Sequence, residues 1–335
     1  MALDESSQIS LARMHSQLLV EGRTPADVVS HFGALQGQDL PGVLTSIALR
    51  TPDRSVAAAV DAFNDGELVR TWPQRGTLHV VSSNRLRDVL VVARERTFRT
   101  TIKRREALGI DDEVLDKART VALESVGNGA TRAELTDAWD RAGLIDRQGH
   151  AYHLIFHLSI EGLLVWGPFR GKEQLIVLVD NWLPQSHEKT YDEIVDDIVR
   201  RYVISHSPTA RKDASWWANL PLKDVDRAIV KAGFVLRDGY VWAGEDAPSA
   251  PESSLYLLPG FDEMILGYSD RSATVPPENA KDICPGNNGV FKPTIIRAGT
   301  VIGTWQKIKK QITFFDQLNE VAREEVKQAM SEVPL

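Results

Sequence analysis

One grammar recurs three times along the chain and constrains its fold more than composition does. A helix with a legible start is followed by a second helix, and then by two short strand-like runs around a tight turn. In the first instance Thr24 suits an N-cap, Pro25 the first turn and Asp27 the positive end of the helix dipole. Val28, Phe32 and Leu35 form the predicted buried stripe, with Gly37 as the expected stop. A further helix is predicted from about Pro41, with Val43, Leu44 and Ile47 inward. Residues 68–71 and 77–81 then read as strands joined by Pro73-Gln74-Arg75-Gly76. In the second instance Thr131 and Glu134 make a capping box, and a helix is predicted from about His150 to Glu161. A hairpin follows with Phe169-Arg170-Gly171-Lys172 at its tip. In the third, Thr209 opens residues 210–218, a helix runs from about Leu220 to near Gly233, and Asp238-Gly239 marks a two-residue hairpin turn. Helices followed by a hairpin is the order of a winged helix.

A Pro/Ser/Ala-rich stretch at residues 245–253 reads as a linker. Beyond it, residues 255–258, 263–268, 289–297, 300–305 and 309–315 read as strands, and 318–333 as a surface helix. The expected class is α+β: three tandem winged-helix (helix-turn-helix plus wing) units with a C-terminal β-rich, barrel-like domain. The expected divisions are residues 1–125 (first winged helix and long connecting helix), 126–190, 191–245 and 254–335. Trp216-Trp217 reads as core.

The net charge of -7 argues against a wholly basic nucleic-acid coat and leaves room for a local basic groove. One such segment exists: from Arg94 to Arg105 the chain sets Arg94, Arg96, Arg99, Lys103, Arg104 and Arg105 against the single acid Glu95. It reads either as a solvated helix end or as a ridge that tracks phosphates. The lone Cys284 excludes an intramolecular disulfide and a multi-cysteine zinc site. His150, His153 and His157 share a helix face without the carboxylate pattern of a metal site, so neither metal nor cofactor is expected. No apolar run approaches the roughly 18 residues of a membrane helix, and the N-terminus lacks a signal-peptide pattern. The expectation is a soluble, cytoplasmic monomer.

Gln36-Gly37-Gln38 places two amides about one glycine just before the third predicted helix. Amides do not titrate, yet they orient water, because the carbonyl oxygen accepts and the NH2 donates. With Leu35-Gln36-Gly37-Gln38-Asp39, the wing block Arg70-Thr71-Trp72-Pro73-Gln74-Arg75-Gly76-Thr77-Leu78-His79, the block Leu257-Leu258-Pro259-Gly260-Phe261-Asp262 before Asp270-Arg271, and Gly299-Thr300-Val301-Ile302-Gly303-Thr304-Trp305, the chain resembles a bacterial family. These are the tandem winged-helix proteins that include the azinomycin-resistance (AlkZ-type) DNA glycosylases. The resemblance runs from about residue 9 to 330. It implies excision of alkylated bases from double-stranded DNA, N7-alkylguanine and interstrand crosslinks included, in a C-shaped, DNA-sized cleft. The family's Gln-apolar-Gln catalytic motif falls on Gln36 and Gln38, with Gly37 where a larger residue is usual.

For DNA contacts the expectation names Arg75, His79, Arg99, Lys103, Arg104, Arg105, Arg170 and Lys172. His79 reads alternatively as a packing residue, and Asp262 either as a stabiliser of a cationic sugar or as a turn cap. The competing function is a non-catalytic winged-helix DNA-binding protein, a regulator or a sequestering factor. It needs a basic recognition helix, and the predicted helix from Pro41 to Arg50 carries only Arg50.

Overall fold

Capping chemistry sets several of the helix starts. In a computed structural model describing residues 5–183, 189–244, 248–287, 289–306 and 308–334, and not the side chains of Arg99, Thr100 and Asn287, Thr24 caps Pro25–Phe32 through the Asp27 N–H. Thr131 and Glu134 close the expected capping box on Arg132–Arg141. The first helix stops earlier than its apolar stripe suggested. Gly33, at φ 82°, ends it and donates to the Val29 carbonyl, so Leu35–Gln36 leave the helix as a short strand. Glycine enters the left-handed region without a Cβ clash, which suits Gly33 to this stop. The next helix is Leu40–Ala48.

The chain divides into two compact units. One is continuous, Val60–Val195. In it the hairpin of Leu68–Gln74 with Thr77–Ser82 and the hairpin of Leu164–Arg170 with Glu173–Leu178 meet antiparallel at Arg70 and Trp166 and so share one sheet. Trp72 fills the space beneath it, edge-on to Tyr152, Phe156 and Trp166. The expected long connecting helix, read from about Asn84 to Arg105, is Leu86–Ala107, while Asp112–Ser125 had no reading in the sequence.

The other unit joins Met1–Ala59 to Asp196–Leu335. Its sheet runs in the order Gln311–Phe314, Thr300–Gln306, Thr294–Arg297, Leu255–Leu258, all antiparallel. Neighbouring residues on one strand face opposite sides. Leu258 and Ile296 therefore join Leu11, Met14 and Met264 in one core, while Leu257 and Ile295 join Trp305 and Val326 in another. Burial on both faces explains why these strands read as continuous apolar runs. Among the described residues the sheet is open, where a barrel-like closure was expected.

Residues 263–268 were expected as a strand. Instead Asp262 accepts the Met264 N–H and caps the short helix Glu263–Leu266, a start signal that outweighs the β-rich composition. The strand expected over 289–297 shortens to Thr294–Arg297. Trp217 is buried as expected, but Trp216 is 39% exposed, because adjacent residues on Arg211–Ala218 point about 100° apart. Tyr191–His206, Leu222–Ala232 and the hairpin Val235–Arg237 with Tyr240–Trp242 complete a third run of helices followed by a hairpin.

Candidate active site

The two glutamines differ in environment. Gln36 is 8% exposed and Gln38 is solvent-exposed. The Gln38 backbone N–H donates to Gln36 Oε1 at 2.9 Å, so the Gln36 side chain folds forward and closes a small turn over Gly37. Gly37 is buried and lies outside the positive-φ region, so its place carries no backbone bar to a larger residue. The turn leads into Leu40–Ala48, where Asp39 stands at the N-cap without a side-chain cap hydrogen bond. A Cβ on Gly42 would lie 2.5 Å from Asp39 Oδ2, so only glycine lets that carboxylate lie across the first turn.

Beneath the turn is a buried polar layer. Glu263, 1% exposed, accepts the Gln36 backbone N–H on Oε1 at 3.3 Å. Its Oε2 accepts Trp217 Nε1–H at 3.0 Å and lies 3.3 Å from His206 Nε2. His206 is fully buried and stacks on Tyr202, with ring centroids 4.2 Å apart. Burial pushes the Tyr268 hydroxyl well above its ordinary range, so it stays protonated; it donates to the His206 carbonyl and accepts from Gln17 Nε2.

Arg50 and Asp262 form the second part of the layer. Arg50 Nη1 and Nη2 meet Asp262 Oδ2 and Oδ1 at 2.8 and 2.9 Å, a two-pronged pair with neither side chain exposed. Ser46 Oγ and the Met264 N–H donate to the same carboxylate. Burial pushes the Asp262 pKa upward, but the Arg50 guanidinium and these hydrogen bonds outweigh it and hold the carboxyl below its usual range. Asp262 is thus a cap and half of a buried ion pair.

The expected DNA-contacting residues all lie in the continuous unit. Lys103, Arg104 and Lys172 are exposed. Arg105 pairs with Asp112 at 3.3 Å, and exposed Arg170 pairs with Glu134 at 2.6 Å. Arg75 is partly buried at φ 51° in its hairpin turn. His79 is fully buried with Nδ1 against the Thr77 carbonyl at 2.9 Å, which is the packing alternative. The side chain of Arg99 lies outside the described residues. Arg94 is exposed and donates to the carbonyls of Ile160 and Glu161 at the end of His150–Ile160. Among the described residues no helix is long and apolar enough to cross a membrane, and no group of three or more His, Cys, Asp or Glu is placed to hold a metal ion.

The family described as "DNA glycosylase AlkZ-like" matches residues 29–331. The chain belongs to that family of DNA glycosylases. The match begins before Gln36 and takes in both the turn and the Asp262-Glu263 cap. A curated relative, the "Interstrand DNA cross-link repair glycosylase" of Streptomyces sahachiroi, is 24% identical over 91% of this chain and 88% of its own length. The solved structure of the Streptomyces sahachiroi DNA glycosylase AlkZ superposes with a TM-score of 0.77, at 21% identity, over 100% of this chain and 99% of that one. Gln38 is exposed on a turn that Glu263 braces from beneath through the Gln36 N–H. Sequence reasoning missed the brace: Glu263 is 46 positions from Trp217, 57 from His206 and 227 from Gln36. The available hint was Glu263 itself, an acid directly after the Asp of a family block and amid apolar residues.

Proposed function

We propose that this AlkZ-like glycosylase hydrolyses the N-glycosidic bond of cationic N7-alkylated purines in double-stranded DNA, bulky adducts and interstrand crosslinks included. The observation that carries the reading is the division between the two glutamines: Gln36 is folded into the turn and Gln38 is left at the surface. In this reading Gln38 orients the attacking water and Gln36 holds Gln38 in place. An N7-alkylguanine is positively charged and leaves as a neutral base, so the bond is already weak. Positioning of water and modest stabilisation of an oxocarbenium-like sugar then suffice, without a strong carboxylate base or a metal. The name of the Streptomyces relative, an interstrand cross-link repair glycosylase, supports the bulky-substrate part. An open surface turn also suits a base that cannot be flipped into a tight pocket.

The reading keeps three winged-helix modules and a β-rich C-terminal module, at residues 1–125, 126–190, 191–245 and 254–335, working as a cytoplasmic monomer without cofactor. DNA contacts are assigned to Arg75, Arg99, Lys103, Arg104, Arg105, Arg170 and Lys172, and His79 is left to packing. The surface pairs of Arg105 and Arg170 are no obstacle, since such pairs contribute only about 0–1 kcal/mol. A base-reading regulator is disfavoured: Leu40–Ala48 carries no charged side chain, and Arg50 just beyond it is buried on Asp262.

The deciding test is release of free N7-methylguanine from methylated duplex DNA under single-turnover conditions. Release above spontaneous depurination is expected, and its absence overturns the reading in favour of a binding protein. The phosphate assignment has its own measurement. Lys103→Ala with Arg104→Ala should flatten the log-log salt dependence of DNA binding by about 0.9 per contact removed. An unchanged slope removes that helix end from the interface.

A further inference from the structure

We infer that Glu263 is a positioning residue for base excision, holding the glutamine turn through the Gln36 backbone. The inference deepens the proposed function and rests on it. Four observations lead to it. Glu263 lies at the start of a helix of only four residues, yet its carboxylate is turned inward and is 1% exposed. Oε1 takes the Gln36 backbone N–H, at the residue whose side chain in turn receives the Gln38 N–H. Oε2 takes Trp217 Nε1–H and faces His206 Nε2, both on helices of the third helix-and-hairpin run. The Glu263 backbone carbonyl accepts from Gln17 Nε2, which fixes the residue from the other side.

A buried carboxylate is stable when its lone pairs are filled by donors, and here the donors come from separate segments. The same carboxylate therefore fixes the height and direction of the strand that enters the turn. The chain of contacts runs from His206 and Trp217 through Glu263 to the Gln36 backbone, from the Gln36 side chain to the Gln38 backbone, and so to the Gln38 amide. Loss of the Oε1 contact also leaves a buried Gln36 N–H without an acceptor, which drives the strand to shift. A displacement of about 1 Å at a water-orienting group is enough to slow a reaction roughly 100-fold.

The test combines a cycle of variants with amide exchange. Single-turnover excision of N7-methylguanine and DNA binding are measured for wild type, Glu263→Gln, Gln38→Ala and the double variant. Glu263→Gln is expected to slow excision roughly 10- to 100-fold with DNA affinity held within about twofold. In the Gln38→Ala background it should slow excision no further, because the group being positioned is gone. Equal slowing in both backgrounds means that Glu263 supports the fold generally, and it overturns the inference. If Glu263→Gln does not fold, Trp217→Phe removes one donor to Oε2 and keeps the Gln36 contact. It should give a smaller loss, about 3- to 10-fold, that also vanishes with Gln38→Ala. Hydrogen exchange of the Gln36 amide in Glu263→Gln reads the contact directly: exchange at least about tenfold faster supports it, and unchanged exchange overturns it. A wild type that releases no base defeats the parent reading and this inference together. An active wild type with equal slowing in both backgrounds defeats this inference alone.

Discussion

Gln38→Ala should slow release of N7-methylguanine by about 100- to 1000-fold, the scale set by removing one pre-aimed hydrogen-bonding group at a reacting centre. In free energy that is about 3–4 kcal/mol of barrier. The side chain is exposed, so stability should change by less than about 0.5 kcal/mol. DNA affinity should hold as well, since the assigned phosphate contacts lie on other segments. Gln36→Ala is expected to differ in kind. It removes the acceptor of the Gln38 N–H from a residue only 8% exposed, and should therefore lower both the excision rate and the melting temperature. Single-turnover rates beside thermal melts separate the two patterns. Variants that both excise at the wild-type rate would remove the glutamine turn from the chemistry.

The largest expected effect on stability belongs to the ion pair. Asp262→Ala strands a fully buried Arg50 guanidinium and should cost about 3–5 kcal/mol. At roughly 2–4 °C per kcal/mol for a unit of this size, the melting temperature falls by about 10 °C. Replacing both partners together, Arg50→Met with Asp262→Leu, should recover much of the loss, because no charge is then left buried alone. The pair also sets an acid limit. The folded-state pKa of Asp262 lies below its unfolded value near 4, so its contribution is complete above about pH 4. It is lost as the pH falls below that point and through the folded value. Acid unfolding followed by circular dichroism should show Asp262→Asn losing the part of the transition that lies below about pH 4. An Asp262→Ala protein that melts with wild type would show that the pair does not hold the fold.

What could be read in the chain was local. Thr24 and Thr131 act on amides three residues away, so these helix starts are written in nearby letters, and the Asp238-Gly239 turn likewise. The glutamine turn was placed by its residues and by family resemblance. What lay beneath it was not legible. Glu263 meets Gln36 across 227 positions and Trp217 across 46, and no periodicity encodes such pairings. Helix length was misjudged where two glycines competed: Gly33 and Gly37 are equally good stops on paper, and only the φ of 82° at Gly33 decides. The Glu263–Leu266 segment was misread because its apolar residues suit a strand, while its single capping contact, from Asp262 to Met264, decides for a helix.

The unit that carries the glutamines is split along the chain, and synthesis must respect that order. Arg50 leaves the ribosome 212 residues ahead of Asp262, which at about 5–20 residues per second is a delay of roughly 10–40 s. Throughout that interval the nascent N-terminal helices hold a guanidinium with no carboxylate to meet it and a Gln36 amide with no Glu263 beneath it. The intervening segment, Val60–Val195, is a compact unit of its own and reaches its full length first. The glutamine turn therefore gains its support late, and on the proposed reading a polypeptide interrupted before Asp262 would display the assigned DNA-contacting cations without the means to cut a base from DNA.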